Sequence, residues 1–221
     1  MNPNYKVITA EIPVRGIGYL ILKDGGLLEA GVAELLSAGA TQIFAKGPLT
    51  EGVHGELQVT LSHEMLRMER ALSPLPALNG KLRLEPLTRP MGARYLAIYN
   101  ESFAQVPNGA TQTLADLPRL LSSDVQAGTA FLGTQPVGIY EVDFAEKDLP
   151  EIAAIGLLKT MRSKGLGREL LRQTMTLLSG YDRCFLRVAT NNEAAFRLYR
   201  GEGFVAAGSL GAWYEVTHHV Q

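Results

Sequence analysis

Arg162-Ser163-Lys164-Gly165-Leu166-Gly167 follows an apolar run, Ile152 to Leu158, and opens a segment with helical spacing. Two glycines with a basic residue before them, at the start of a helix, are the ingredients of an anion site. Glycine lets a ligand approach the backbone closely, and first-turn N–H groups have no partner inside the helix. Those groups and the helix dipole suit phosphate oxygens. Downstream stands Asn192-Glu193-Ala194-Ala195-Phe196-Arg197-Leu198-Tyr199, followed by Gly203-Phe204. Asn192 is a helix-capping residue type, and Tyr199 offers a proton donor on the helix it would cap.

Together these stretches resemble the GNAT acetyltransferase superfamily. Its acetyl-CoA motif, Arg/Gln-x-x-Gly-x-Gly/Ala after a strand, is matched by Arg162, Gly165 and Gly167. Its second motif, Asn-x-x-Ala-x-x-Leu-Tyr followed by Gly-Phe, is matched by Asn192, Ala195, Leu198, Tyr199, Gly203 and Phe204. The resemblance covers roughly residues 79–221 and is sharp over about 150–205. It implies an α/β (α+β) fold: a mixed, mostly antiparallel central sheet flanked by helices. It also implies acetyl-CoA as co-substrate and an amine as acceptor.

The sequence pattern runs in the order the resemblance requires. Lys81–Pro86 alternates as a strand does. Pro90–Phe103 and Leu114–Leu121 have helical spacing. Thr129–Leu132 and Val137–Phe144 read as strands around the turn Gly133-Thr134-Gln135-Pro136. Ile152–Leu158 reads as a central strand covered on both faces. A helix over Leu166–Leu178, a strand over Arg183–Ala189 and a helix from Asn192 to about Arg200 follow. Phe204–Gly208 and Ala212–Val216 are expected to close the sheet as a hairpin.

Ser73-Pro74-Leu75-Pro76-Ala77-Leu78-Asn79-Gly80 breaks any regular pattern and is the best linker. It divides the chain into a small N-terminal α/β unit, 1–78, and a motif-bearing domain, 79–221. In the first unit Val7–Pro13, Ile17–Lys23 and Thr41–Lys46 read as strands, Leu27–Ala38 as a helix, and Leu57, Val59 and Leu61 alternate. Shifting the chain by 142 positions places Gly25 on Gly167, Leu28 on Leu170 and Leu35-Leu36-Ser37 on Leu177-Leu178-Ser179. That suggests a degenerate half of the same fold. No Arg-x-x-Gly-x-Gly precedes its helix, so this half is not expected to bind CoA through such a loop.

Composition limits the function classes. Of 221 residues, 46% are hydrophobic and 19% charged, enough for a sizeable core. A formal net charge of −1 argues against non-specific nucleic-acid binding. No apolar run approaches the ~20 residues of a membrane span. The N-terminal residues Met1–Lys6 lack a signal-peptide layout, and the single cysteine, Cys184, fits a reducing compartment. The expectation is a cytoplasmic protein. Charge is uneven: Lys159–Arg200 holds nine Lys/Arg against three Asp/Glu, and Gly92–Pro150 holds three against seven. The first block suits a polyphosphate ligand. The second suits a cationic amine or is a solvated face.

The resemblance assigns roles residue by residue. Ser163, Lys164, Gly165, Leu166, Gly167 and Arg168 would present N–H groups to the pyrophosphate, with Arg162 opening the motif. Ile155, Gly156 and Leu157 would hold the pantetheine arm, with Gly156 permitting close approach. Asn192 would contact that arm while capping its helix. Tyr199 would protonate the departing thiolate, and Glu151 would serve as general base, with Glu141 and Asp143 as rivals. Some members carry a glutamate where this chain has Arg187. Cys184 reads as packing rather than nucleophile. The adjacent His218 and His219 do not share a face as metal ligands do, and no metal site is expected. The expected reaction is acetyl transfer to a small-molecule or peptide amine. The alternative is a CoA-binding sensor or scaffold without turnover. The N-terminal unit would dimerise the chain or cover the acceptor pocket.

Overall fold

The computed structural model describes residues 4–75, 77–78, 80–106 and 108–219. Pro76 and Asn79 of the linker, and Met1–Pro3 of the N-terminal stretch, lie outside the described residues. The chain divides into two compact units. One takes the chain up to Leu66 together with Ala189–Asn191 and the residues from Ser209 onward; the other takes Arg67–Val188 and Asn192–Gly208.

The first unit begins with β1 (Tyr5–Ile8), α1 (Ile12–Arg15), β2 (Ile17–Leu22), α2 (Leu28–Ser37) and β3 (Gln42–Lys46), followed by β4 (Gly52–His54) and the start of β5 (Leu57–Ala71). β1 pairs antiparallel with β2, and β2 pairs parallel with β3. Leu20, Leu35, Ala45 and Val59 are fully buried at its centre. The expected strand over Val7–Pro13 is corrected. It stops at Ile8, and Pro13 sits in the first turn of a short helix, where its missing N–H costs nothing. The alternation at Leu57, Val59 and Leu61 marks only the beginning of a 15-residue strand.

The second unit carries β6 (Leu82–Pro86), α3 (Gly92–Phe103), α4 (Leu117–Leu120), β7 (Val125–Leu132), β8 (Gln135–Asp143), β9 (Glu151–Leu157), α5 (Leu166–Thr176), β10 (Arg183–Ala189), α6 (Glu193–Gly201) and the start of β11 (Val205–His218). β6, β7, β8 and β9 form an antiparallel meander, and β9 turns parallel to β10. This is the strand–helix–helix–three strands–helix–strand–helix–strand order expected from sequence. β9 reads as continuously apolar because both its faces are covered. Ala154 packs with Tyr95, Ile98 and Tyr99 of α3, while Leu157 packs with Leu166 and Leu170 of α5. Leu170 is fully buried, a contribution of about 1.5–3 kcal/mol.

Two boundaries need correction. Residues 205–218 are one strand, not a hairpin: Gly211 adopts φ +103° within it, a local irregularity rather than a reversal. β7 starts at Val125, four residues earlier than expected, because Val125–Gly128 pair with Asp143–Tyr140.

Candidate active site

The site is built where β9 ends and α5 begins. In the β8–β9 ladder Glu141 faces Ala154 and Val142 faces Ile152, so Ala153 is an extra residue on β9. Such a bulge bends its strand and increases the local twist. Beyond it, β9 pairs parallel with β10 at Glu151 and Phe185.

After β9 the chain makes a tight turn over Lys159–Met161 and becomes extended at Arg162. Ser163 then takes φ +61° and Gly165 φ +78°, both left-handed. Gly165 caps α5 in a conformation that costs a residue with a Cβ about 1–2 kcal/mol, although a Cβ there would touch nothing within 4 Å. Backbone conformation, not crowding, therefore calls for this glycine. Gly167 is under neither constraint, since a Cβ there would meet Leu198 at 3.6 Å and Leu157 at 3.8 Å, ordinary contacts. The first intrahelical bond runs from Glu169 N–H to Gly165 O, leaving the N–H groups of the preceding turn directed out of the helix end. Ser163, Lys164, Gly165 and Arg168 are exposed, and Leu166 is buried as the helix's first anchor.

Arg162 works differently from a free phosphate ligand. Its Nε donates to Leu157 O at 3.2 Å and its Nη2 to Ser102 O at 2.8 Å. The side chain braces the loop against β9 and α3. Gly156 is approached closely from within the protein. A Cβ there would lie 2.8 Å from Ser102 Cβ and 2.9 Å from the Phe103 ring, so the close approach at this position serves the end of α3. Ile155 is half-buried, and Leu157 is buried against α5.

On α6, Asn192 Oδ1 accepts the Ala195 N–H at 3.4 Å, as expected of the cap. Tyr199 lies two turns on, half-buried, its ring 6.0 Å from that of Phe204. Its hydroxyl has no protein hydrogen bond among the described residues, and burial pushes the phenol up to about 12. It holds its proton at any ordinary pH, as a donor must.

The two carboxylates differ. Glu151, at the start of β9, pairs with Arg187 Nη2 at 3.0 Å. Burial raises its pKa, and Arg187 only partly opposes that. Glu141 is buried on β8 and accepts from Arg119 Nη1 at 2.7 Å, Gln112 Nε2 at 3.3 Å and Tyr95 Oη at 3.5 Å. Asn100 in turn holds Gln112, accepting its N–H at 2.9 Å and donating to its carbonyl at 2.8 Å. Burial, reinforced by Glu141, pushes the Tyr99 phenol up to about 12. Sequence reasoning listed Glu141 as a rival base but missed Tyr95, Gln112 and Arg119 around it. They lie 22 to 46 positions away, and no local pattern marks them.

Cys184 is fully buried, and burial pushes its thiol up to about 12, so it packs rather than reacts. Among the described residues, no three of His, Cys, Asp and Glu cluster closely enough to hold a metal. In the first unit the turn before α2 is built differently. Asp24 Oδ1 accepts the Gly26 N–H at 3.0 Å, and a Cβ at Gly25 would lie 2.6 Å from Pro48 O.

Residues 95–204 match the Acetyltransferase (GNAT) family. The chain is 30% identical over 197 residues to mycothiol acetyltransferase of Kineococcus radiotolerans, covering 84% of this chain and 65% of that protein. It is 34% identical over 91 residues to N-alpha-acetyltransferase RimI of Mycobacterium tuberculosis, covering 41% of this chain and 51% of that protein. The chain thus spans about two thirds and about half the length of these two relatives. In fold it is similar to a GCN5-related N-acetyltransferase from Sphaerobacter thermophilus, with a TM-score of 0.58 at 14% identity over 96% of this chain and 74% of that one.

Proposed function

The chain belongs to the GNAT acetyltransferase family through residues 95–204, and from that premise we propose that it is an N-acetyltransferase moving acetyl from acetyl-CoA to an amine by direct attack. The observation that carries the reading is the left-handed turn at Ser163 and Gly165 at the head of α5. It opens a helix whose first-turn N–H groups lack intrahelical partners, which suits the CoA pyrophosphate.

In the proposed step the neutral amine nitrogen attacks the thioester carbon. A backbone N–H near Leu157 holds the oxyanion. Collapse breaks the C–S bond, and the thiolate takes the Tyr199 proton. The proton shed by the amine passes to Glu151 through water. Burial makes the phenol a weaker acid than a free tyrosine, so its proton moves only as charge builds on the departing sulfur. Asn192 and the Ile155–Leu157 edge would hold the arm between pyrophosphate and thioester.

The acceptor is a small-molecule or peptide amine. The two relatives, by name a mycothiol acetyltransferase and an N-alpha-acetyltransferase, are compatible with either kind. A cytoplasmic location fits this chemistry. No helix among the described residues is long and apolar enough to cross a membrane. In the first unit, β2–α2–β3 repeats the parallel strand–helix–strand arrangement of β9–α5–β10. This supports a degenerate half of the same fold over residues 1–78 as its origin.

One observation favours a second reading, a CoA-binding module without turnover: the Glu151 carboxylate is already engaged by Arg187. Thiol release from acetyl-CoA with a panel of primary amines separates the two. Turnover of any amine above the hydrolysis background excludes the binding module. A CoA-induced rise in melting temperature with no turnover across the panel overturns the enzyme reading.

A further inference from the structure

Glu202 is a buried acid in a position that packing alone would fill with an apolar residue. It ends α6 and precedes Gly203-Phe204, and its side chain is 1% exposed. Two arginines of α5 converge on it. Arg172 grips both oxygens, Nε at 2.7 Å and Nη2 at 3.0 Å, and Arg168 Nε lies 3.0 Å from Oε1. Arg172 Nη1 also donates to Ala77 O at 3.0 Å.

Replacing a buried, ion-paired carboxylate with an apolar side chain of similar volume is often neutral or stabilising, so stability does not explain the presence of Glu202, whose partner Arg168 is itself exposed. What a triad supplies is geometry. Two charge-assisted hydrogen bonds from Arg172 and an ion pair from Arg168 converge on one carboxylate and restrict the arrangement of the two helices, where a leucine would tolerate several. Its position gives that geometry a use. Arg168 is the third residue of α5, and its backbone N–H belongs to the unpaired first turn. Tyr199 is three residues before Glu202, on the same side of α6 within one turn. The two helices also meet where Leu198 lies beside Gly167.

On the premise that residues 162–168 form the CoA cradle, we propose that Glu202 is a positioning residue. It locks the start of α5 to the end of α6 and so sets the cradle against the Tyr199 phenol. Electrostatics opposes any simpler role in binding. A carboxylate beside an anion site weakens anion binding by charge alone, so its removal should strengthen CoA binding unless geometry is lost.

The test uses the full chain with Glu202→Leu and Glu202→Gln, the latter keeping shape and some hydrogen bonds should the leucine variant fail to fold. The readouts are the melting temperature with and without CoA, and the ¹³Cζ signal of Tyr199, assigned by its loss in Tyr199→Phe. CoA is expected to move this signal in the wild type. In the folded variants the signal should move less than half as far or split. Loss of the CoA-induced thermal shift in both folded variants also supports the proposal, since charge alone predicts the reverse. An identical Tyr199 response in wild type and variants, with the thermal shift retained, overturns it and leaves the cradle reading intact. If CoA fails to stabilise even the wild type, the cradle reading falls, and the proposal with it.

Discussion

The carboxylate of Glu151 lies 3.0 Å from the guanidinium of Arg187, the one nearby charge that favours its ionised form against burial. The net shift is upward. A general base must be ionised, so the acidic limb of kcat/KM should sit above the ordinary carboxylate range and vanish in Glu151→Gln. Arg187→Leu removes the opposing influence and should move the limb further up. A limb that stays put in Arg187→Leu would show that another group titrates. The same shift predicts stability. A raised carboxyl pKa means the folded chain holds the proton more tightly than the unfolded chain. Its stabilising contribution is complete below the unfolded pKa and is lost as pH rises through the folded one. Glu151→Gln should therefore melt no lower than wild type at pH 8, even as turnover falls.

Gly165 and Gly167 make a separable pair. Gly165→Ala must hold a Cβ at φ +78° and should cost about 1–2 kcal/mol in the absence of ligand. Gly167→Ala meets no crowding and gains helix propensity, about 0.5–1 kcal/mol of added stability. Gly167→Glu should fold but lose the CoA-induced thermal shift, because a carboxylate then occupies the head of α5. Calorimetric melting with and without CoA reads all three. A wild-type shift in Gly167→Glu would remove this loop from the phosphate site.

Tyr199→Phe deletes a hydroxyl that bonds to no described protein group, so the melting temperature should change by little. Turnover should fall by roughly 10²–10⁴-fold, the usual scale for a general acid. Because burial pushes the phenol up to about 12, Tyr199 contributes no basic limb at ordinary pH. A loss below about threefold, with chemistry shown to limit the rate, would return Tyr199 to a packing role.

How much of this was legible in the sequence follows from how local each signal is. Gly165, Asn192 and Tyr199 act through the turn and the helix they sit on, and their motifs expose them. The apolar run at Ile152–Leu158 marks a strand covered on both faces, and it is one. The hairpin expected at the C-terminus failed because Gly208 and Gly211 read as a turn, whereas the strand absorbs Gly211 as an irregularity. The packing neighbour of Gly156 was not legible for another reason. What approaches it is Ser102, more than fifty positions earlier, and no periodicity within either segment records that meeting. The brace made by Arg162 and the ring of donors around Glu141 are of the same kind.

Glu141 supplies the control that separates a base from a structural carboxylate. It is buried and already accepts from Arg119, Gln112 and Tyr95. A buried carboxylate held by three donors is less open to a water that carries a proton than Glu151, whose partner among the described residues is Arg187. Glu141→Gln should lower stability by roughly 1–3 kcal/mol, the cost of weakening charge-assisted bonds, tempered because Arg119 is half-exposed and regains water. Turnover measured well below the new melting temperature should stay within a few-fold of wild type at every pH. Glu151→Gln should show the opposite pattern, with stability kept and turnover lost at neutral pH. Its turnover should recover as the acceptor amine deprotonates unaided, near pH ~8 for an α-amine and ~10.4 for a lysine-like one. If the pH-rescued loss appears in Glu141→Gln instead, the base sits on β8 and Arg119 must swing away to free it. If neither variant loses activity, no carboxylate of this sheet removes the proton, and water alone carries it from the amine.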